Sequence, residues 1–262
     1  MMAVSAAPTV RRRPPRDLLG AHVAVVGATG ALGSRLVELL HASGAVVTVV
    51  GRDEQRLWPL ARGGSVVVGD LGDETLGDRL RSVVEQHYDG RLDGLVNAAG
   101  VVTFGPVAEL PDEVAEQLVL TNLVGPLWLL RRTVPLLQAS RGFVAQITGV
   151  VAEESYPGMA AYGASKAGLA AASASLAREL RRDAVDVIDL RPPHTETGLA
   201  GRALAGRQPT MPTGLDPDAV AARMLRGIVD REPVVGPAAF RTARPGRAEP
   251  AATGVSAGPA SP

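Results

Sequence analysis

From about residue 20 to residue 236, short aliphatic and β-branched runs alternate with longer stretches of helical periodicity. The apolar runs are His22–Gly27, Ala45–Val50, Ser65–Gly69, Leu92–Asn97, Gly142–Thr148, Ala184–Leu190 and the short Pro233–Val235. They are Val-rich and nearly continuous in apolar character, as parallel strands buried on both faces must be. Between them the pattern predicts helices over Ala31–Ser43, Asp53–Ala61, Glu74–His87, Pro111–Ala139, Met159–Arg182 and Asp216–Asp230. Pro135 lacks an amide donor and should kink or end the fourth of these nearby. Strands and helices in alternation, joined by right-handed crossovers, build an α/β fold: a doubly wound parallel sheet of about seven strands. It should occupy one domain, residues 20–238, between disordered tails at 1–19 and 239–262.

Composition narrows the chemistry. With no cysteine among 262 residues, thiolate catalysis, disulfides and Cys-based metal sites are excluded. The four histidines, His22, His41, His87 and His194, show no ligand spacing, so no metal is expected. A formal net charge of zero argues against nucleic acid as a partner. No apolar run approaches the ~18 residues a membrane helix needs, and the first residues lack a signal's hydrophobic region. The expectation is a cytoplasmic protein. Arg11, Arg12, Arg13 and Arg16 lie among prolines and read as a solvated tail.

The first strand runs into Gly27-Ala28-Thr29-Gly30-Ala31-Leu32-Gly33 and then directly into a helix. Three glycines alone would signify only a tight turn. After the first strand and opening the first helix, they form the Rossmann-type context in which backbone amides receive a dinucleotide pyrophosphate. Gly51 stands at the end of the second strand, where an acid would bond a ribose 2′-hydroxyl, and Arg52 follows. An arginine there suits a 2′-phosphate, so NADP(H) is favoured over NAD(H). Asp53 reads as a helix N-cap. Asp70 and Leu71 end the third strand and could meet the adenine edge or merely cap the next helix. Asn97-Ala98-Ala99-Gly100 ends the fourth strand with small residues that leave room for a cofactor.

Tyr162-Gly163-Ala164-Ser165-Lys166 is the most specific signal. Residues four apart project from one helical face. Lys166 is the sole lysine in a chain that otherwise uses arginine for every cation, so position 166 asks for a compact ammonium. A cation ~4–5 Å from a phenol, at an effective dielectric of ~20, is worth roughly 3–4 kcal/mol. That would bring the tyrosine down from about 10 toward neutrality, where it can exchange a proton with a carbonyl or alcohol oxygen.

These motifs occur in the order found in classical short-chain dehydrogenases/reductases: the glycine turn, Asn97 to Gly100, Asn122 within Thr121-Asn122-Leu123, the Tyr162/Lys166 pair, and Pro192 after the sixth strand. The chain resembles that family over residues 20 to 236. The resemblance implies Tyr162 as catalytic acid/base and Lys166 as the group that lowers its pKa and holds the nicotinamide ribose. It implies Asn122 as the anchor of a water relay, and Thr195 and Thr197 as part of a loop covering the nicotinamide. It further implies a small carbonyl or alcohol substrate and a homodimer or homotetramer.

The departures carry information too. Ala31 replaces the family's middle glycine and Gly30 precedes it, a spacing closer to the branch that includes epimerases and dehydratases. Val26 stands for a threonine, Ala98 for the second asparagine, and Pro193 for a glycine. The family's catalytic serine, thirteen residues before the tyrosine, is here Gly149. Losing one such donor costs roughly 10²–10³ in rate. Thr148 after a local shift, His194, an ordered water or the substrate itself must then replace it, and a serine restored at 149 should be tolerated. The leading reading is an NADP(H)-dependent oxidoreductase. The alternatives are a catalytically silent NADP-binding regulator and a non-redox dehydratase or epimerase. The segment 194–214 should form a lid, with Leu199, Leu204 and Met211 either facing an apolar ligand or packing the lid shut.

Overall fold

A computed structural model of the chain describes residues 13–241. Seven parallel strands form one sheet in the order β3-β2-β1-β4-β5-β6-β7. They are β1 (His22–Val26), β2 (Val46–Gly51), β3 (Val66–Val68), β4 (Gly94–Asn97), β5 (Phe143–Ile147), β6 (Asp186–Leu190) and β7 (Val234–Val235). The central strands are apolar on both sides because both sides are covered. Val23 and Val25 pack with Leu36 and Leu40 of α1 (Ala31–Ala42), Leu57 of α2 (Glu54–Ala61) and Met224 and Ile228 of α7 (Pro217–Val229). Ala24 and Val26 face the opposite core, with Leu80 and Val84 of α3 (Leu76–His87) and Leu129 and Leu137 of α5 (Gly125–Ser140). Between β1 and its neighbour β4 the strand order reverses, and the carboxyl ends of those two strands open the crevice where such sheets bind ligands. Among the described residues, no helix is long and apolar enough to cross a membrane.

The structure departs from the expected elements at four places. The long fourth helix is two, α4 (Asp112–Val119) and α5, joined by a π-helical turn over Leu120–Val124. Pro135 does not interrupt α5, which runs on to Ser140. The break falls instead where Asn122 turns inward, buried and bonded to another segment. The fifth predicted helix is α6 (Ala160–Glu179) with a 3₁₀ turn after it at Leu180–Asp183. A short α8 (Pro237–Arg241) buries Phe240 where a tail was expected from 239. The other end is likewise ordered earlier than expected. From Arg13 the chain is laid along the amino edge of the sheet, with Leu18 buried and the Arg16 amide on Val229 O at 2.7 Å. Arg13, Arg16 and Arg231 converge on the carboxylate of Asp186, and the Arg16 guanidinium stacks 4.5 Å from the Phe143 ring centroid. Residues 1–12 and 242–262, the rest of the expected tails, lie outside the described residues.

His22 is the polar residue most deeply committed to β1. Its Nδ1 lies 2.7 Å from Arg91 O, its Nε2 2.8 Å from Thr48 Oγ1, and its ring stacks on Tyr88 at 3.6 Å. Burial pushes its pKa below the ordinary imidazole range, outweighing the Arg91 carbonyl. The unfolded chain therefore binds more protons than the folded one between that lowered value and about 6.5. The stability His22 supports is present above about 6.5 and is lost as pH falls through this window. Urea denaturation should give a smaller unfolding free energy at about pH 5.5 than at about pH 7.5. His22→Gln should flatten a measurable part of that difference, and an unchanged pH dependence would clear His22 of the effect.

Candidate functional site

The glycine turn closes because its backbones touch. Gly27 has φ +76, and a Cβ there would lie 2.7 Å from the Ala99 amide nitrogen. A Cβ on Gly33 would lie 2.2 Å from Gly27 O, so α1 packs directly on the turn that starts it. Gly30 is the N-cap of α1 and supplies no side-chain cap. The first amide bonded within the helix is Ser34 N, to Gly30 O at 2.9 Å. The amides of Ala31, Leu32 and Gly33 have no acceptor among the described residues. Three unpaired amides at the positive end of a helix suit a phosphate. Thr29 Oγ1 sits over Gly51 at the end of β2, which brings this turn beside Arg52.

Arg52 is largely exposed and reaches Asp70 Oδ2 at 3.5 Å, an open contact that contributes little. Asp53 caps α2, accepting the Arg56 amide at 3.2 Å. Arg56 then donates from Nη2 to Thr29 O at 3.0 Å, so a second guanidinium stands at the mouth of the glycine turn. Its place three residues along a capped helix from Arg52's loop was the available signal. Asp70 also accepts the Gly72 amide at 2.8 Å and shapes its own turn, while Leu71 is buried beneath it.

The turn after β4 joins the two halves of the site. Asn97 donates to Gln146 Oε1 on β5 at 2.8 Å and accepts the Ala99 amide at 3.2 Å. The Ala98 amide returns to Val26 O at 2.9 Å. On one side this turn packs on Gly27. On the other, a Cβ on Gly100 would be 3.1 Å from Lys166 Nζ and 3.3 Å from Asn122 Oδ1. Asn122 grips both backbone groups of Val101 at 2.9 Å and donates to Ser165 Oγ at 3.0 Å. It fixes the π turn against the β4 loop and α6. Ser165, one residue before the lysine, joins the site without having been singled out by the sequence.

Tyr162 and Lys166 share a face of α6, as their spacing requires, and both are buried. Their electrostatics run opposite to what the spacing alone suggests. Burial pushes the Tyr162 phenol up to about 12. Burial likewise lowers Lys166 to about 8, against an opposing pull from Asp189. The ammonium spends a hydrogen bond on Ile147 O at 2.9 Å, and the phenol lies among Val102, Phe104 and Leu118. Desolvation sets the direction for both groups.

Thr148 needs correcting as a substrate-facing donor. Its side chain is fully buried and its hydroxyl donates to the Asp189 carboxylate on β6. Asp189 is also held by Arg191, whose Nη2 is 2.7 Å away, and Arg191 reaches Glu153 at 2.7 Å. An acid inside the apolar run Val187-Ile188-Asp189-Leu190 was the sequence signal for this network. Gly149 next to it has φ +82 and ψ 167, a region essentially reserved for glycine. The space around it is open, the nearest atom to a Cβ being Pro192 O at 3.8 Å. A serine there would fit sterically yet be strained, contrary to the simple tolerance expected from sequence.

The segment 194–214 lies closed over Tyr162. Leu204 N bonds Val102 O at 2.9 Å and Phe104 N bonds Ala205 O at 3.0 Å. Leu199, Ala200 and Ala203 pack on the cluster containing Tyr162 and Phe104, while Leu204 and Met211 are not part of that cluster. Pro192 O receives the Val150 amide at 3.0 Å. Thr195 bonds Pro193 O at 2.9 Å, and Thr197 Oγ1 accepts the Leu199 amide at 3.3 Å. Both threonine hydroxyls thus shape their own loop. His194 faces Glu196 at 3.4 Å rather than the tyrosine.

Residues 21–208 match the short chain dehydrogenase family. Dehydrogenase/reductase SDR family member 7B of Xenopus laevis is 28% identical over 236 residues, covering 82% of this chain and 72% of that one. An uncharacterized oxidoreductase of Staphylococcus epidermidis is 32% identical over 181 residues, covering 67% and 78%. A short chain dehydrogenase from Burkholderia cenocepacia, solved in complex with NADP, superposes with a TM-score of 0.74 at 25% identity, covering 86% of this chain and 92% of that one. One from Streptomyces avermitilis shares the fold, with a TM-score of 0.74 at 24% identity over 83% and 88%. A glycine turn, an asparagine-anchored π turn and a buried Tyr–Lys pair on one seven-stranded parallel sheet thus coincide with a family match across most of the chain, which belongs to the short chain dehydrogenases.

Proposed function

We propose that this chain is an NADP(H)-dependent oxidoreductase that interconverts a carbonyl and a secondary alcohol, with Tyr162 as acid/base. One observation carries the reading. The turn Asn97–Gly100 packs on the glycine turn through Ala99 and on the Lys166 ammonium through Gly100, so the phosphate-binding and proton-transfer ends share one wall. The amides of Ala31 to Gly33 take the pyrophosphate. Arg52, released from its open contact with Asp70, takes the 2′-phosphate. Bound NADP(H) supplies or accepts the hydride. In the reducing direction Tyr162, kept protonated by burial, gives its phenolic proton to the substrate oxygen, and Lys166 stabilises the phenolate left behind. Asn122 holds the π turn and Ser165 in register with both. Val102, Phe104 and Leu199 present an apolar wall to the substrate. Self-association as a homodimer or homotetramer, implied by the family, belongs to the same proposal.

Gly149 favours a second reading, a protein that binds NADP(H) without turnover. It stands where the family's serine would hold the substrate oxygen, and its backbone conformation selects against a side chain. Substrate-dependent loss of NADPH absorbance across a carbonyl panel separates the two readings.

Three outcomes are expected. NADPH should bind at least about tenfold more tightly than NADH, a charge-assisted contact being worth ~1.5–3 kcal/mol. Arg52→Ala should erase most of that ratio, and calorimetric constants that are equal for the two dinucleotides would refute the assignment. Tyr162→Phe should keep NADPH affinity and lose nearly all turnover of an accepted carbonyl, while Lys166→Arg should also be poor because a guanidinium is larger and planar. Gly149→Ser should lower the unfolding free energy by about 1–3 kcal/mol without raising ketone reduction. A serine variant as stable as the parent would mean that the loop accommodates an L side chain.

A further inference from the structure

The peptide between Ile147 and Thr148 closes the end of β5. Its carbonyl receives the Lys166 ammonium at 2.9 Å, its amide donates to Leu190 O on β6 at 2.9 Å, and the side-chain hydroxyl of Thr148 is bonded to Asp189. Asp189 lies on β6, opposite Gln146 in register, and is nearly inaccessible to solvent. Arg191 clamps its other oxygen with Nε at 2.8 Å and ties it to Glu153. A buried acid in a central strand is costly unless it is paired and hydrogen-bonded, and this one is both. We infer that the Thr148–Asp189–Arg191 network is a positioning device for Lys166: it fixes the strand end whose carbonyl holds the ammonium and sets a carboxylate behind it.

The surroundings of Lys166 leave this task to one group. Tyr162 is on its own helix and uncharged, the π turn contributes the neutral Asn122, and the β4 loop contributes Gly100. β5 offers a backbone carbonyl. Among the described residues, Asp189 is the charge that acts on the lysine, opposing its desolvation. Arg191 and Glu153 act through Asp189, Arg191 by drawing on the same carboxylate. Removing the carboxylate and removing its guanidinium partner must therefore move Lys166 in opposite directions. A scaffold role alone would not produce opposite signs.

The consequence for proton transfer rests on reading Tyr162 and Lys166 as the catalytic pair, but the test needs neither substrate nor cofactor. Because Lys166 is the sole lysine, protein grown with lysine labelled with ¹³C at Cε gives one lysine side-chain resonance, whose pH titration reports Lys166 directly. Asp189→Asn should lower its midpoint by about one unit or more, as expected for loss of a nearby opposite charge. Arg191→Gln should raise it. Coincident midpoints in the folded variants, or shifts of the same sign, overturn the inference. Should Asp189→Asn fail to fold, the Arg191→Gln titration decides alone, since an unchanged or lowered midpoint refutes it. A failed Tyr162→Phe turnover assay would strike the catalytic reading and leave this titration standing.

Discussion

A cation taken out of water must be solvated by the protein, and the site is organised around that demand. Lys166 obtains one bond from the end of β5, and the elements around it exist in the conformations that let it sit there. Gly100 is bare so that the ammonium can approach the β4 turn. The π turn gives Asn122 the depth to brace that turn against α6. β6 carries an acid where an apolar residue would be cheaper to bury. Each of these is an irregularity for its own element, and together they are consistent.

The sheet was legible because its strands are buried on both faces. Continuous apolar runs separated by helical periods allow few other architectures, and the parallel order follows from the crossovers. What periodicity could not show was tertiary in origin. The π turn is set by a side chain seeking a partner twenty-one residues earlier in the chain, an interaction no local window contains. The arm from Arg13 to Leu18 looks like a tail in composition. It is ordered by Asp186, Val229 and Phe143, all far along the sequence.

The site divides in the same way. The glycine turn and the Tyr162/Lys166 pair stand out by their spacing, Asn97 only within a turn of small residues, and Asn122 only through the family resemblance; the structure brings them together. Orientation was not legible. Thr148 has the right chemistry at the right strand end, yet its hydroxyl is spent on Asp189. Gly149 reads in sequence as a missing hydroxyl, whereas its dihedral angles make it a shape requirement of the loop. The sign of the Tyr162 shift was missed for a related reason. Coulomb attraction follows from spacing, while desolvation depends on Leu199, Ala200 and Ala203, more than thirty residues downstream, packing on the cluster that holds Tyr162.

The arm at the amino edge also orders events in time. Arg16 meets Asp186 and the Val229 carbonyl, so its docking closes loops of 170 residues or more. During synthesis these partners leave the ribosome after almost every strand of the sheet, and until then the arm has nothing to hold. Contacts of such separation gain nothing until the intervening chain has collapsed, because closing the loop costs entropy first. The arm, although made before every strand of the sheet, is therefore a late fastener on a body that has already formed.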